Sequence, residues 1–299
     1  MAKVCAPIFH SVCTFSSFIF CSCVMVQWPD IFISRYGGNN RLLRNDGHYS
    51  SSEPGKWSFT DVTAEVGLGD PWFSFPCTSF DADQDGSLDI MVAGHLFEGP
   101  DAVAWIYTNE STFLNGHHTP ENPMFGTSPD QKLTRLFLNK GGKFEEIGEE
   151  GGLRRHVMSM ASNYGDLDND GYLDLYFGTG QPDIRALQPN KMYRNAGDGK
   201  HWQDITSSGN FGHLQKGHGI AFADMDNDGD QDVYGQMGGA FIGDFFHDAI
   251  FLNPGHGNGY VKIHLRGVDT NRDGLVCVFC SMLPIPIFLC VLSSLCIPL

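Results

Sequence analysis

Basic residues are scarce in this sequence. Its 299 residues contain 19 lysines and arginines against 35 aspartates and glutamates, which gives a formal net charge of −16. Nucleic acids and anionic membrane surfaces attract proteins through basic side chains, so this balance argues against electrostatic binding to either. The length suffices for one or two domains with a buried core.

Cysteine is nearly absent from the middle of the chain, where only Cys77 occurs, and the other eight cysteines lie in the two apolar ends. Neither a disulfide framework nor a paired CxxC zinc spacing can be derived from this distribution. We therefore interpret Cys77 as a small buried hydrophobic residue rather than as a nucleophile.

Sequence motifs of catalysis are also missing. The chain has no HExxH, no GxSxG, no phosphate-binding loop and no GxGxxG between a strand and a helix. Candidate acid–base groups are the loop histidines His117, His118, His156 and His218, and a single loop histidine is more typical of a surface or turn residue. The sequence predicts that the protein is not an enzyme, and a polysaccharide lyase or hydrolase is the alternative.

Both ends of the chain lack charge. Residues 4–26 carry no charged side chain apart from His10, and residues 275–299 carry none. We expect residues 1–35 to be a secretory signal or an uncleaved anchor, and the sequence does not separate the two. The tail at 275–299 is long enough to span a bilayer, although Pro284 and Pro286 disturb a helix, so a membrane anchor and an ill-defined chain end both stay open.

A repeat occupies the region between the ends. The 36 glycines and 23 phenylalanines are typical of a turn-rich β protein. Four hairpin-like units, such as RLFLNKGGKFEEI from Arg135, share an asparagine at positions 45, 139, 195 and 253. The spacings of 94, 56 and 58 residues indicate a period of about 57 with one insertion. Each period supplies about four short strands and no helix, as in a blade of a β-propeller.

The insertion extends over residues 95–131, and so long an irregular segment in a compact fold is typically functional or disordered. Trp105 and Tyr107 are candidate anchors for a partner, with packing in the core as the alternative interpretation. Asn109 begins an Asn-Glu-Ser glycosylation sequon, which has meaning only in a secreted protein.

Three acidic nonapeptides lie between the hairpins: DADQDGSLD, DLDNDGYLD and DMDNDGDQD. Each has aspartate at positions 1, 3, 5 and 9 and glycine at position 6, where a tight bend needs a positive φ. Calcium binds six to eight oxygen atoms, and carboxylates that converge on such a turn can supply them. The candidate ligands are Asp81, Asp83, Asp85, Asp89, Asp166, Asp168, Asp170, Asp174, Asp224, Asp226, Asp228 and Asp232.

Two other interpretations of these loops can be compared. An EF-hand needs a bidentate glutamate at position 12, where this chain has Val92, Phe177 and Gly235. A solvated Asp-Gly hairpin turn explains one such loop, but three copies that keep all four aspartates favour a metal site.

The DxDxDGxxD loops, each followed by a strand, resemble the calcium-binding FG-GAP/VCBS repeats of integrin-type propellers. The hairpins with LFLN followed by a glycine turn resemble the ASPIC/UnbV-domain subset, which includes cartilage acidic protein, and GYVKIHLRGVDTNRDG at 259–274 resembles the start of the UnbV segment. The resemblance implies that the aspartates at positions 1, 3, 5 and 9 bind calcium.

The expected fold is therefore all-β, an FG-GAP-type β-propeller over residues 36–258 that forms a partial or open arc of about four blades. The resemblance implies a calcium-binding extracellular or cell-surface scaffold, secreted and glycosylated, that binds a protein or glycan partner without catalysis. Contact with a membrane is expected only through the terminal apolar segments. The alternative is a propeller-based polysaccharide lyase or hydrolase.

Overall fold

The computed structural model describes residues 16–21, 29–47, 57–71, 73–95, 133–180, 187–239, 246–263 and 295–298. These ranges form seventeen β-strands and one helix of four residues. The prediction of an all-β fold is confirmed.

Consecutive strands pair antiparallel and build four successive sheets. Sheet 1 consists of β1 (Ser16–Cys21), β2 (Asp30–Arg35), β3 (Arg41–Asn45) and β4 (Phe59–Asp61). Sheet 2 consists of β5 (Ser74–Phe80), β6 (Asp89–Gly94), β7 (Arg135–Asn139) and β8 (Phe144–Glu146). Sheet 3 consists of β9 (Ser159–Gly165), β10 (Asp174–Thr179), β11 (Lys191–Asn195) and β12 (Trp202–Asp204).

Sheet 4 has three strands within the described residues: β13 (Lys216–Ala223), β14 (Asp232–Gly238) and β15 (Ala249–Phe251). The helix α1 (Thr63–Val66) follows sheet 1, and β16 (Tyr260–Ile263) pairs with β17 (Leu295–Pro298) after sheet 4.

The four sheets form an open arc. The first strand of each sheet contacts the first strand of the next, so that β1, β5, β9 and β13 follow one another along the arc. At sheets 3 and 4 this approach needs glycine, because a Cβ atom on Gly178 would lie 2.5 Å from the carbonyl oxygen of Gly217. The predicted open arc of about four units is confirmed.

The middle strands are buried on both faces. In β6, Ile90 and Val92 pack in the core between sheets 1 and 2, whereas Met91 and Ala93 pack in the core between sheets 2 and 3. Successive side chains of a strand point to opposite faces, so a strand between two neighbouring sheets is apolar throughout. A third core, with Tyr176 and Val233, joins sheets 3 and 4.

Sheet 1 begins at Ser16, and its strands β1 and β2 both lie within residues 1–35, which the sequence predicts to be a signal or anchor. The sheet-forming region therefore starts before residue 36, because the first hairpin is needed to complete a four-stranded unit. The assignment of a signal or anchor stays a prediction.

Other predicted segments lie largely outside the described residues. Of the insertion at 95–131 only His95 is described, so Trp105, Tyr107, Asn109, His117 and His118 lie outside. Of the segment at 259–274 residues 259–263 are described, and of the tail at 275–299 only β17 is. Among the residues that the structure describes, no helix has the length and apolar character needed to cross a membrane.

The packing of the sheets against one another predicts that two phenylalanines contribute very different amounts to the free energy of unfolding. Phe177 is fully buried between sheets 2 and 3, whereas 41% of Phe59 in β4 is exposed. Phe177→Ala should lower the free energy of unfolding by about 3–5 kcal/mol through lost burial and a cavity. Phe59→Ala should lower it by about 1 kcal/mol or less. Urea unfolding followed by tryptophan fluorescence measures both, and equal losses would contradict this packing.

Candidate metal-binding loops

Each acidic nonapeptide connects the first and second strands of its sheet. The residue before the loop pairs with the aspartate at position 9, as Phe80 with Asp89 and Gly165 with Asp174. Ala223 pairs with Asp232 in the same way. The ends of each loop are therefore fixed by a strand ladder, which holds the intervening carboxylates in a short turn.

Two positions of each loop adopt left-handed backbone conformations. The glycines at position 6 have φ values of 86°, 93° and 100°, which confirms the prediction for Gly86, Gly171 and Gly229. Position 4 is also left-handed, at 60°, 53° and 64° for Gln84, Asn169 and Asn227. Asparagine tolerates this conformation better than most residues do.

Three carboxylates converge in each loop. One oxygen from each member of the group lies within 4.8 Å of the others. The groups are Asp81, Asp83 and Asp85; Asp166, Asp168 and Asp174; and Asp224, Asp226 and Asp228. The structure thus brings the predicted aspartates of positions 1 and 3 together in all three loops, and like charges this close repel unless something neutralises them.

The aspartate at position 1 shapes the first two loops. Asp81 accepts hydrogen bonds from the backbone N–H of Asp85 at 3.1 Å and of Gly86 at 3.0 Å. Asp166 accepts the same two bonds from Asp170 and Gly171, at 3.1 and 2.9 Å. These bonds turn the backbone toward the carboxylates.

The aspartate at position 9 joins three parts of each repeat. Asp89 accepts the backbone N–H of Ala82, at position 2 of its own loop, at 2.8 Å, and that of Asn139 in β7 at 2.7 Å. Asp174 bonds in the same way to Leu167 and Asn195, and Asp232 to Met225 and Asn253, all at 2.8 Å. All three carboxylates are buried. We call this arrangement the Asp–Asn latch.

The asparagine of the latch closes the hairpin that follows. The side-chain oxygen of Asn139 accepts the N–H of Gly142 at 2.8 Å, and its amide group donates to the carbonyl of Leu88, just before Asp89, at 3.3 Å. Asn45 and Asn253 make the corresponding pairs of bonds. The asparagine that marked the repeat in the sequence therefore connects the hairpin turn to the residue before the latch aspartate.

Sheet 1 has the bond of the latch that joins the aspartate to the hairpin asparagine, although no acidic nonapeptide precedes this aspartate. Asp30 is buried and accepts the backbone N–H of Asn45 at 2.7 Å. Counted back from Asp30, positions 1, 3 and 5 are Ser22, Val24 and Val26. Sequence reasoning missed Asp30, although its distance before an asparagine hairpin was a signal that could have revealed it.

Position 4 links successive loops. The side-chain amide of Gln84 donates to the backbone carbonyl of Gly171 at 2.7 Å, and that of Asn169 donates to the carbonyl of Gly229 at 3.3 Å. An amide at position 4 of one loop thus binds the glycine at position 6 of the next. Sequence reasoning also missed this link, whose signal was an amide residue at position 4 of all three loops.

A basic side chain from outside the loop contacts each of the first two acidic loops. Lys140, just after β7, contacts Asp83 and lies 3.5 Å from Asp85, and Arg194 of β11 contacts Asp168 and lies 4.0 Å from Asp170. At the corresponding positions beside Asn253 the chain has Leu252 and Pro254.

Burial makes several of these carboxylic acids weak. Desolvation raises the pKa of Asp166 to about 6, of Asp89 to about 7 and of Asp174 to about 8, and the neighbouring loop aspartates add to the shifts. Backbone N–H donors oppose them without compensating in full. The folded protein therefore holds several carboxylates whose charge is costly.

Two carboxylate oxygens at position 3 lack any hydrogen bond. Oδ1 of Asp83 and Oδ1 of Asp168 are inaccessible to solvent and have no hydrogen-bond partner among the described residues. Buried polar atoms nearly always have a partner, so an oxygen without one indicates a missing ligand. Oxygen-rich sites suit hard cations such as calcium, and the donors present fit that ion.

The remaining candidates lie elsewhere. His218 is an exposed residue of β13, His156 lies between β8 and β9, and neither belongs to a carboxylate group. Cys77 packs against the core between sheets 1 and 2, and burial raises the pKa of its thiol to about 12. This confirms its interpretation as a packing residue.

A family model described as an FG-GAP-like repeat matches residues 166–235. The match runs from the second acidic loop through most of the strand pair around the third. No curated protein matches the chain. The repeat that this family model describes therefore lies within sheets 3 and 4 of the open arc.

The latch predicts a stability effect that is independent of metal. Asp89→Asn keeps one acceptor oxygen but turns an amide group toward a backbone N–H, so unfolding in chelator should become easier by about 1–3 kcal/mol. Asp30→Asn should act similarly although its repeat lacks the acidic loop. The exposed Glu145→Gln in β8 is the control and should change stability by about 0.5 kcal/mol or less. Equal stability of Asp89→Asn and the control would contradict the latch.

The raised pKa values predict that the metal-free protein loses stability as pH rises. Asp89 and Asp174 have pKa values of about 7 and about 8 when folded, against about 3.9 when unfolded, so the stability that their protonation contributes is full below about pH 3.9 and is lost as pH rises through the folded values. Burial lowers the pKa of His95 to about 4, which acts oppositely but only below about pH 6.5.

Melting temperature in chelator should therefore fall between about pH 6.5 and pH 8.5. Asp174→Asn, which cannot ionise, should show a shallower fall over the same range. A melting temperature that rises with pH in this window would contradict the assignment.

Proposed function

We propose that this protein is a calcium-stabilised β-propeller-like scaffold that acts outside the cell and binds a protein or glycan partner without catalysis. The observation that carries the proposal is the convergence of three carboxylates in each of three repeated loops, with buried oxygens of Asp83 and Asp168 that lack hydrogen bonds.

Calcium suits these loops better than other common metals do. It accepts six to eight oxygens in a flexible geometry, whereas magnesium requires a stricter octahedron and zinc or copper prefers histidine or cysteine. None of the three carboxylate groups contains a histidine or cysteine. The aspartates of positions 1, 3 and 5 would hold the ion in the first and third loops, and those of positions 1, 3 and 9 would hold it in the second.

A divalent cation would remove the electrostatic cost of the loops. In the first two loops Lys140 and Arg194 provide partial neutralisation, but both side chains are 43% exposed and therefore weakly held. The third loop has an additional aspartate at position 7, Asp230. Calcium binding would favour the ionised form of every loop and couple metal binding to folding.

An extracellular role is supported by the FG-GAP-like repeat. The ASPIC/UnbV resemblance belongs to this proposal and rests on the hairpins and on residues 259–274. The partner class follows from a repeat scaffold that has no catalytic motif. No specific observation favours the alternative of a polysaccharide lyase or hydrolase.

Calcium titration of the chelator-stripped full chain tests the proposal. We expect about three ions per chain, one for each acidic loop, and a large rise in melting temperature, because the ions bind only the folded loops. Asp168→Asn should remove the second site. The exposed Asp70→Asn, outside the loops, should keep all three. No binding by a protein that still melts cooperatively would show that the loops are only turns.

A further inference from the structure

The three contacts between successive sheets use the same register. In sheet 2, Met91 pairs with Leu136, and both are fully buried toward sheet 3; in sheet 3, Tyr176 pairs with Met192, both fully buried toward sheet 4. We call the side of each sheet toward the next one its following face and the opposite side its preceding face. Every contact joins a following face to a preceding face.

Among the described residues, the following face of sheet 4 has this register but keeps apolar side chains exposed. Tyr234 pairs with Ile250 as Tyr176 pairs with Met192, yet 58% of Ile250 is exposed. Leu252 corresponds to Leu138 of sheet 2, which is 2% exposed, but Leu252 is 61% exposed.

The side chain at position 2 of the acidic loops is also more exposed in the last sheet than in the earlier ones. Ala82 and Leu167 are 0% and 5% exposed because each packs between its own sheet and the next. Met225, at the same position in the third loop, is 36% exposed. The last sheet therefore presents, at three positions, apolar side chains whose counterparts in sheet 2 are buried in a contact.

The preceding face of sheet 1 is the counterpart. Ile31 pairs with Leu43 as Ile90 pairs with Phe137 in sheet 2. Ile90 and Phe137 are 0% and 3% exposed, whereas Ile31, Ile33 and Leu43 are only partly buried. The same chain thus carries, at opposite ends of the arc, an exposed following face and a preceding face whose apolar side chains are less buried than their counterparts in sheet 2.

We propose that the following face of sheet 4 docks onto the preceding face of sheet 1 of a second copy. This contact would have the same register as the three contacts within the chain. Each copy supplies both surfaces that it needs, the following face of sheet 4 and the preceding face of sheet 1. Two arcs of four sheets make eight, which is within the range of about 4–8 blades in closed propellers. A head-to-tail contact of this kind forms a closed ring when its rotation permits, and here two copies close it.

Mass measurement of the full chain by sedimentation and light scattering over a broad concentration range tests the ring. We expect a dimer, twice the chain mass of 33.0 kDa. Leu252→Glu on one face and Ile33→Glu on the other should each give a monomer, because each puts a charge into both contacts of the ring. Leu214→Glu is the control. Leu214 is 56% exposed and lies before β13, outside both docking faces, so this variant should stay dimeric.

Unchanged circular dichroism and melting of the Leu252→Glu monomer would show that the fold survives, as the exposure of that residue leads us to expect. An equal mixture of the Leu252→Glu and Ile33→Glu proteins restores one unaltered contact, so part of the dimer should return in the mixture. A monomeric unaltered chain, a dimer insensitive to both substitutions, or oligomers that grow beyond two copies with concentration would each overturn the proposal.

Discussion

The Asp–Asn latch is the contact on which each repeat depends. One buried carboxylate accepts a backbone N–H from its own loop and another from the third strand, so a single side chain fixes the loop, the second strand and the hairpin together. The carboxylate loses its water and is held by hydrogen bonds to fixed donors. Asp30 makes the bond to its hairpin asparagine although no acidic nonapeptide precedes it. This bond between the second strand and the hairpin therefore does not require the acidic loop.

The acidic loops add an electrostatic cost to this framework. Folding packs three carboxylates within 4.8 Å of one another and buries several of them. The chain alone has two ways to reduce that cost, which are protonation, as the raised pKa values of Asp89 and Asp174 indicate, and contact with Lys140 or Arg194. Binding of a divalent cation in each loop, as proposed above, would reduce this cost in all three loops and would make the stability of the arc depend on the metal concentration.

The sequence allowed the repeat to be predicted because local chemistry determines it. Gly86 marks a bend that needs positive φ, and Asn139 marks a hairpin, so the strands, loops and number of units followed. Asp30 was missed because it lies in an apolar segment that looked like a targeting signal. The links from Gln84 to Gly171 and from Lys140 to Asp83 join residues 87 and 57 positions apart. The first link forms only when sheets 2 and 3 pack together, and the second only when β7 pairs with β6 across the insertion, so no local pattern specifies either.

Burial on both faces determines what an open arc requires. In a repeat protein each unit is stabilised by its own contacts and by those with its neighbours, so a terminal unit has only one neighbour. Sheets 2 and 3 have two neighbours each, whereas sheet 4 has one and presents Ile250 and Leu252 to solvent. The third acidic loop belongs to this least supported sheet, and Asn169 joins it to the second loop. Calcium in that loop would hold the end of the arc in shape, and an ordered end is what a docking partner needs.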